Sequence, residues 1–582
     1  MRHSELPSKV PDVTKWWVTL FSLVLLSAPV LPAPQTLAPD ALVPGQRGIG
    51  YCVLQGTQVD SFGVEILGVQ NNAMHPGRDL ILARLSGANL EQTGIIQGMS
   101  GSPVYVDGKL IGAVSYGWGF ASEPICGITP IGEMLELLER DLSPPNDLPS
   151  PPTRSHHTTG GFSPLSLPVW VSGIDAATEA FLADVLEPVG LVPVSGVAGQ
   201  VTSTAATEPL RPGSSFGVQL VRGDLTMTAI GTVTWVDGNR VLGFGHPYLG
   251  AGAIDMPMTR TVIHAVLPNR YSSFVLGSAG EEIGALRQDR ATAVAGVLGE
   301  RAAMLPVTVT VDGPSTQTSL TAQVVDHATF SGALTQIVIY SALRSVEKLL
   351  GLASLDVHLR VQLTDGRRVE WDQVFSGLHA TLFAAQAVGA PLSELTWSGQ
   401  EDVHLQSVHV DIRIREDVRV AQIMAARHQP QSPRPGHPMT LQIELDPFQA
   451  PREQVEIELP LPATARGLPI QIRIGNGSSA LTWAAERFPE PTPRDSDELL
   501  ARLRRPRRND DLVVEVIADV PGLALDGTAL PALPGSVRHW LQQTPAVGRV
   551  GPIQGRVLHS VRLRVPFVVK GEQVIDLGRL EQ

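Results

Sequence analysis

Apolar and polar positions alternate in short runs along most of the chain. Between Gly48 and Leu138 the runs FGVEIL (62–67) and LILARL (80–85) have strand length. In VYVDGKLIGAVSYG, Val104–Val106 and Leu110–Tyr116 flank Asp107-Gly108, which predicts a hairpin. PIGEMLELLER then predicts a short helix carrying Ile131, Met134, Leu135, Leu137 and Leu138. A second helix is expected at about 175–187, with Asp175 as candidate N-cap. From about 216 the strand pattern returns, and AIGTVTWVDGNRVLGFGHP reads as strand, Asp237-Gly238 turn and strand, ending at His246. Residues 331–350 follow a period near 3.6 through Leu334, Ile337, Val338, Leu343, Val346, Leu349 and Leu350. Beyond them Val408, Val410, Ile412 and Ile414, then Leu441, Ile443 and Leu445, then Val455, Ile457 and Leu459 alternate as in a β-sandwich. A helical insertion near 495–505 and further strands at 511–518 and 561–569 complete that pattern, and no repeat of fixed period is seen.

At 582 residues the chain is too long for one core. The composition is globular, with 43% hydrophobic and 17% charged residues. A Pro/Ser/Gly-rich linker, 141–170, contains His156 and His157, for which no metal role is read. It separates a β module at 46–140 from another at 171–330, with a connecting region of helix and strands at 331–400 and the sandwich-like part at 401–582. Residues 1–33 combine Arg2, Lys9 and Lys15 with a short apolar run and then small residues. They predict a secretory signal peptide cut near Ala33, the alternative being an uncleaved anchor, and hence a periplasmic or extracellular protein. The net charge of −13 argues against nucleic acid as partner, and Arg502, Arg504, Arg505, Arg507 and Arg508 read as a solvated basic face. Export makes a disulfide between Cys52 and Cys126 a candidate, against two separate buried thiols. No HExxH, CxxC pair or P-loop is found, so no metal and no cofactor is expected.

The phrase GMSGSP (98–103) sets one serine between two glycines. A serine hydroxyl needs a neighbouring base to become a nucleophile, and backbone N–H groups to hold the oxyanion of acyl transfer. Glycines permit the turn that supplies those donors, so Ser100 is a candidate nucleophile and the amides of Gly98 and Ser100 a candidate oxyanion hole. A tight turn feeding a hairpin is the plain structural alternative. Met99 is read as turn packing, and Gly94, Ile95 and Ile96 as either a small apolar substrate pocket or a core strand. Asp224 and Glu282 are expected on solvent. Ser115-Tyr116-Gly117 resembles the V-S-W-G strand of trypsin-like proteases, which pairs with substrate backbone. Among 15 histidines, His246 ends a strand after Gly243-Phe244-Gly245 and is the candidate base.

GIIQGMSGSPVYVDGKLIGAVSY closely resembles the nucleophile region of the SpoIVB peptidase family, with its GMSGSP phrase and GKxIGAV strand. AIGTVTWVDGNRVLGFGHPYLGAGAID and GEEIGALRQDRATAVAGVLG resemble that family's other half, which holds a G-H histidine. The resemblance covers roughly 46–135 and 218–300, under a third of the chain. It implies a mainly β fold, a chymotrypsin-like double β-barrel, here joined to the C-terminal sandwich-like region. It carries the nucleophile onto Ser100 and the base onto His246. In the family the histidine half comes first; here His246 follows Ser100 by 146 residues, so the halves look permuted. No PDZ module is apparent. The family's acid precedes the serine, but Ala83-Arg84-Leu85-Ser86 offers no carboxylate. Asp289 is preferred as the acid, with Asp79, Asp255 or a dyad without an acid as alternatives. The expected activity is an exported serine endopeptidase acting on an extended segment of another exported or membrane protein, or on its own linker. The alternative is a non-catalytic scaffold that binds envelope proteins or glycans through its sandwich.

Overall fold

A computed structural model describes residues 35–580 apart from 120, 146–161, 188–190, 196–207, 270–271, 347–351, 401, 488–492, 505–507, 526–527, 531–532 and 544–549. The expected signal peptide, the linker histidines, Arg505 and Arg507 lie outside the described residues.

Seven strands build the first sheet: β1 (Arg47–Gln55), β2 (Gln58–His75), β3 (Arg78–Ser86), β4 (Pro103–Val106), β5 (Lys109–Trp118), β6 (Ile125–Pro130) and β7 (Phe162–Pro164). Their order is β4-β1-β2-β3-β6-β5-β7, and β5 also pairs with β4, so the first six close into a barrel. Alternation fixes which residues face inward: Phe62, Val64 and Ile66 on β2 are buried, as are Ile81, Ala83 and Leu85 on β3. Apart from the small Ala83, each of these side chains contributes about 1.5–3 kcal/mol by leaving water. The β4–β5 hairpin turns at Asp107 (φ +50°) and Gly108 (φ +73°), the paired positive dihedrals that a two-residue type I′ loop requires. Between β3 and β4 lie the one-turn helix α1 (Leu90–Thr93) and the GMSGSP turn.

A second six-stranded barrel follows. After β8 (Leu167–Ser172), α2 (Ile131–Leu135) having closed the first barrel, come α3 (Ala176–Leu186) and β9 (Leu191–Ser195). Asp175 caps α3 by accepting the Thr178 N–H at 2.9 Å. The barrel strands are β10 (Ser215–Gly223), β11 (Thr226–Asp237), β12 (Arg240–Gly243), β13 (Gly252–Leu267), β14 (Phe274–Arg290) and β15 (Ala293–Leu298). They run β10-β13-β14-β15-β12-β11, and β11 closes on β10. The β11–β12 loop is Gly238-Asn239, one residue later than expected, because Asp237 pairs with Arg240. Asp224 is exposed, but Glu282 is not on solvent: its side chain, 7% exposed, pairs with Arg222 at 2.6 Å.

The second sheet continues beyond its barrel. β17 (Gln317–Val325) pairs with β10, and β16 (Met304–Asp312), β20 (Leu405–Arg415), β18 (Ala353–Leu363) and β19 (Arg368–Gly377) extend it in that order. Two helices, α4 (Phe330–Ser345) and α5 (Ala380–Trp397), pack together beside these strands. The run Val408–Ile414, expected in the sandwich, therefore belongs here, because β20 lies parallel to β16 and antiparallel to β18. The last part is two packed sheets around one apolar core that includes Leu441, Ile443, Ile472 and Val514. Of the basic cluster, Arg508 pairs with Asp510 at 2.8 Å and Arg502 with Glu394.

The candidate disulfide is not formed: Cys52 and Cys126 are both free and buried. They sit on β1 and β6, which are not neighbours in the first barrel, and both belong to its core. Burial drives both thiols up, that of Cys52 to about 12, so neither is a reactive thiolate. Alkylation under non-reducing conditions should add nothing to the native protein and two groups to the denatured one, read by mass spectrometry; one or no added group would mean a cross-link.

Candidate active site

The two glycines of GMSGSP are required by backbone geometry and by the second barrel. Gly98 has φ +102° and Gly101 φ +95°, both in the region that favours glycine. A Cβ on Gly101 would lie 2.1 Å from the Thr232 carbonyl oxygen and 2.5 Å from the Phe244 nitrogen. One on Gly98 would lie 2.5 Å from Val275 Cγ2. The nucleophile turn therefore presses directly onto β11, the β12 exit and β14.

Hydrogen bonds fix this contact. Thr232 N–H donates to the Ser100 carbonyl at 2.8 Å. The Thr232 hydroxyl donates to Gly98 O at 2.9 Å, and the Thr234 hydroxyl to Gly101 O at 2.8 Å. Gln97 N–H donates to Ser273 O at 2.8 Å, and Val275 N–H returns to Gln97 O at 3.1 Å. From the other side, the Thr129 hydroxyl donates to Gly245 O at 2.6 Å. Ile230, Ile263 and Val275 of the second barrel enter the first barrel's core.

The histidine is presented by a bent exit from β12. Phe244 (φ +67°) and Gly245 (φ +72°) are consecutive left-handed residues. For Phe244 this costs of order 1–3 kcal/mol, which its packing offsets. Its ring stacks on Phe216 with centroids 5.1 Å apart and on His246 at 6.1 Å, and it covers Gly231, where a Cβ would come within 2.1 Å.

These constraints bring Ser100 Oγ to 2.8 Å from His246 Nε2, across 146 residues of chain. His246 Nδ1 lies 2.8 Å from the Pro247 carbonyl oxygen. A carbonyl can only accept, so Nδ1 carries the proton and Nε2 offers its lone pair to the Ser100 hydroxyl. Burial lowers the imidazole pKa from 6.5 to about 4, the Pro247 hydrogen bond opposing this, so the ring is neutral at pH 7. Ser100 and His246 are both buried, with the Tyr116 ring 6.4 Å from the imidazole. The amides of Gly98 and Ser100 have no acceptor among the described residues, as an oxyanion hole requires.

None of the three carboxylates sits on the imidazole. Asp289, the preferred acid, is fully buried but accepts the amides of Tyr248 (2.8 Å), Leu249 (2.7 Å) and Ala251 (3.2 Å). It shapes the loop after His246 and leaves Nδ1 to the Pro247 carbonyl. Asp255 pairs with Arg287 and accepts the Ala303 amide at 3.0 Å. Asp79 accepts the Asn72 amide at 2.9 Å in an exposed hairpin. The arrangement is a dyad whose imidazole is oriented by a main-chain oxygen.

Met99 is buried in the first barrel's core, as expected, and so is Ile96. Gly94 and Ile95 instead line an open cavity of about 270 Å³ together with Gly117 and Trp118. Ser115 is buried, its hydroxyl donating to Ala113 O at 2.6 Å, and the β5 edge at Tyr116 and Gly117 is paired with β7 of the chain itself. Sequence reading missed Thr232, Thr234, Thr129 and Phe244. On a strand, threonine signals only β propensity, and the seam it serves depends on which strand of the other barrel faces it.

Gly101→Ala should remove the dyad contact without touching either reacting residue. Strain alone costs of order 1–3 kcal/mol, and the clash with backbone adds to it. The expected outcome is a lowered thermal midpoint and loss of labelling of Ser100 by a fluorophosphonate.

The comparisons with known proteins address the same stretch. Residues 36–134 match the family model described as SpoIVB peptidase S55, which takes in Ser100 and β1–β6 but not His246. No curated protein and no solved structure matches the chain. Over its serine-bearing barrel, residues 36–134, the chain is similar to the SpoIVB peptidase S55 family.

Proposed function

We propose that the protein is an exported serine endopeptidase working through a Ser100–His246 dyad, with the two halves in permuted order relative to its family. The observation that carries this reading is the 2.8 Å contact between Ser100 Oγ and His246 Nε2, made between two separately closed barrels. The family match of the serine-bearing stretch supports peptide bonds as the substrate class.

In the first step Ser100 Oγ attacks the scissile carbonyl carbon while its proton passes to His246 Nε2. The carbonyl oxygen becomes an oxyanion that the Gly98 and Ser100 amides receive. The imidazolium, steadied by Nδ1–H to Pro247 O, gives its proton to the leaving amine as the C–N bond breaks. A water then repeats the sequence against the acyl-enzyme, with His246 taking the water's proton and returning it to Ser100 Oγ. Asp289 acts as a positioning residue, holding the loop that begins at Pro247.

A fluorophosphonate should label the purified mature protein. Labelling should vanish in Ser100→Ala and slow by about 10²–10⁴-fold in His246→Ala, the usual worth of a general base. Labelling that survives Ser100→Ala would remove the enzyme reading and leave a scaffold acting through the sandwich.

The pH dependence follows from His246. Its lone pair is available above a pKa of about 4 and lost to protonation below it. The labelling rate should hold from neutral pH down to about 5 and then fall about tenfold per pH unit below 4. A limb near 6.5 would mean that the imidazole is solvated when it works.

A further inference from the structure

The edge of β5 beside the dyad is occupied by the chain's own residues. β7 lies antiparallel to it, with Trp118 opposite Phe162, Gly117 opposite Ser163 and Tyr116 opposite Pro164. Leu165 extends the pairing, its N–H donating to Ser115 O at 3.0 Å. In an antiparallel ladder every second residue donates to the partner, so Pro164 falls where no N–H is needed.

The part of β5 that holds this segment adjoins the turns bearing the reacting groups. The Ser115 hydroxyl fills the space a Cβ on Gly245 would take, at 2.4 Å, one residue before His246. Val114 O accepts the Gly101 amide at 2.8 Å, one residue after Ser100. Leu165 is thus bonded to the stretch of β5 that packs against the neighbours of Ser100 and His246. The Leu165 side chain rests in a notch left by Gly117, where a Cβ would meet Leu165 Cδ2 at 2.9 Å. Ser163, Pro164, Leu165 and Ser166 are only half-buried and border the 270 Å³ cavity that continues toward Gly94 and Gln97. A strand serving only to cover a sheet edge has no need of a notch, an adjoining cavity and anchorage on the stretch of β5 that packs against the Ser100 and His246 turns.

We propose that residues 162–165 occupy the acyl side of the peptidase's own substrate cleft, in the register of a substrate, so that the resting enzyme is self-occluded. It follows that a substrate displaces this strap as an extended antiparallel strand. Its residue on the acyl side of the scissile bond is a branched aliphatic one in the place of Leu165, and proline is accepted before it. The proposal rests on the peptidase reading of Ser100 and His246. Being tethered, the strap competes at an effective concentration of the order of millimolar.

The test uses a fluorescent peptide with the strap sequence, acetyl-Phe-Ser-Pro-Leu-Ser-Leu, and the full chain. Its affinity is measured by anisotropy for Ser100→Ala and for Ser100→Ala/Leu165→Asp; the aspartate should eject the strap and tighten binding about tenfold or more. With Ser100 intact, Leu165→Asp should raise kcat/KM for the peptide by a similar factor. Leu165→Ala, which removes only methyls from the notch, should give a smaller gain in the same direction. Complete fluorophosphonate labelling of each Ser100-containing variant shows that the dyad remains assembled. Equal affinity and equal rate in labelled variants would overturn the strap while leaving the peptidase standing. A gain in binding with neither labelling nor cleavage would instead overturn the peptidase reading and keep the docked strap.

Discussion

The structure depends on a contact between main chains. At Gly101 nothing but hydrogen separates the nucleophile turn from the backbone of β11 and the exit of β12. Close-packed interiors tolerate no added methyl at such a point. The flanking hydrogen bonds through Thr232, Thr234 and Thr129 bind carbonyls of each turn to the opposite barrel. Each is worth roughly 1 kcal/mol net, but a buried carbonyl left without its donor costs about 1–3 kcal/mol. The seam thus resists sliding more strongly than its net stabilisation suggests. Positional precision of the hydroxyl and imidazole is inherited from it.

The dyad shows how a neutral base can be oriented without a carboxylate. The Pro247 oxygen selects the tautomer, and burial keeps the ring uncharged. A buried carboxylate would stabilise an imidazolium more strongly, as in triads; in the mechanism proposed above that charge would be met by one carbonyl dipole. The buried carboxylate nearby, Asp289, is spent on three amides of the adjoining loop. Phe244, held at positive φ and stacked on both Phe216 and the imidazole, completes the support from below. Both groups are buried; the strained non-glycine residue lies beside the imidazole, and glycines supply the positive dihedrals beside the hydroxyl.

Much of this was legible in the residues, for physical reasons. The Asp107-Gly108 hairpin was readable because two positive dihedrals demand such residues. Asp175 was readable as a cap because a short acceptor before an apolar helix has few other uses. Ser100 and His246 stood out through their glycine-rich turns and a family phrase. Distance along the chain favours Asp289 but says nothing about the face of β14 from which its carboxylate projects or which donors meet it. An oxidising compartment makes a Cys52–Cys126 bridge a candidate beside two separate thiols, and their separation around the barrel decides for the thiols. Alternation identifies Val408–Ile414 as a strand but does not say which sheet it joins. The self-pairing of β7 was illegible: Phe162–Pro164 carries no strand signal of its own and is ordered by the edge it meets.

The hydroxyl and the imidazole belong to barrels that leave the ribosome one after the other, the serine-bearing one first, and its core is completed by Ile230, Ile263 and Val275 of the second. The strands of the base-bearing unit end only at Leu298. A nascent chain that has completed the leading barrel therefore carries a serine with no base. If the dyad works as proposed, hydrolysis becomes possible only once the two barrels have docked, and a molecule cut short before Leu298 would have no base beside its serine.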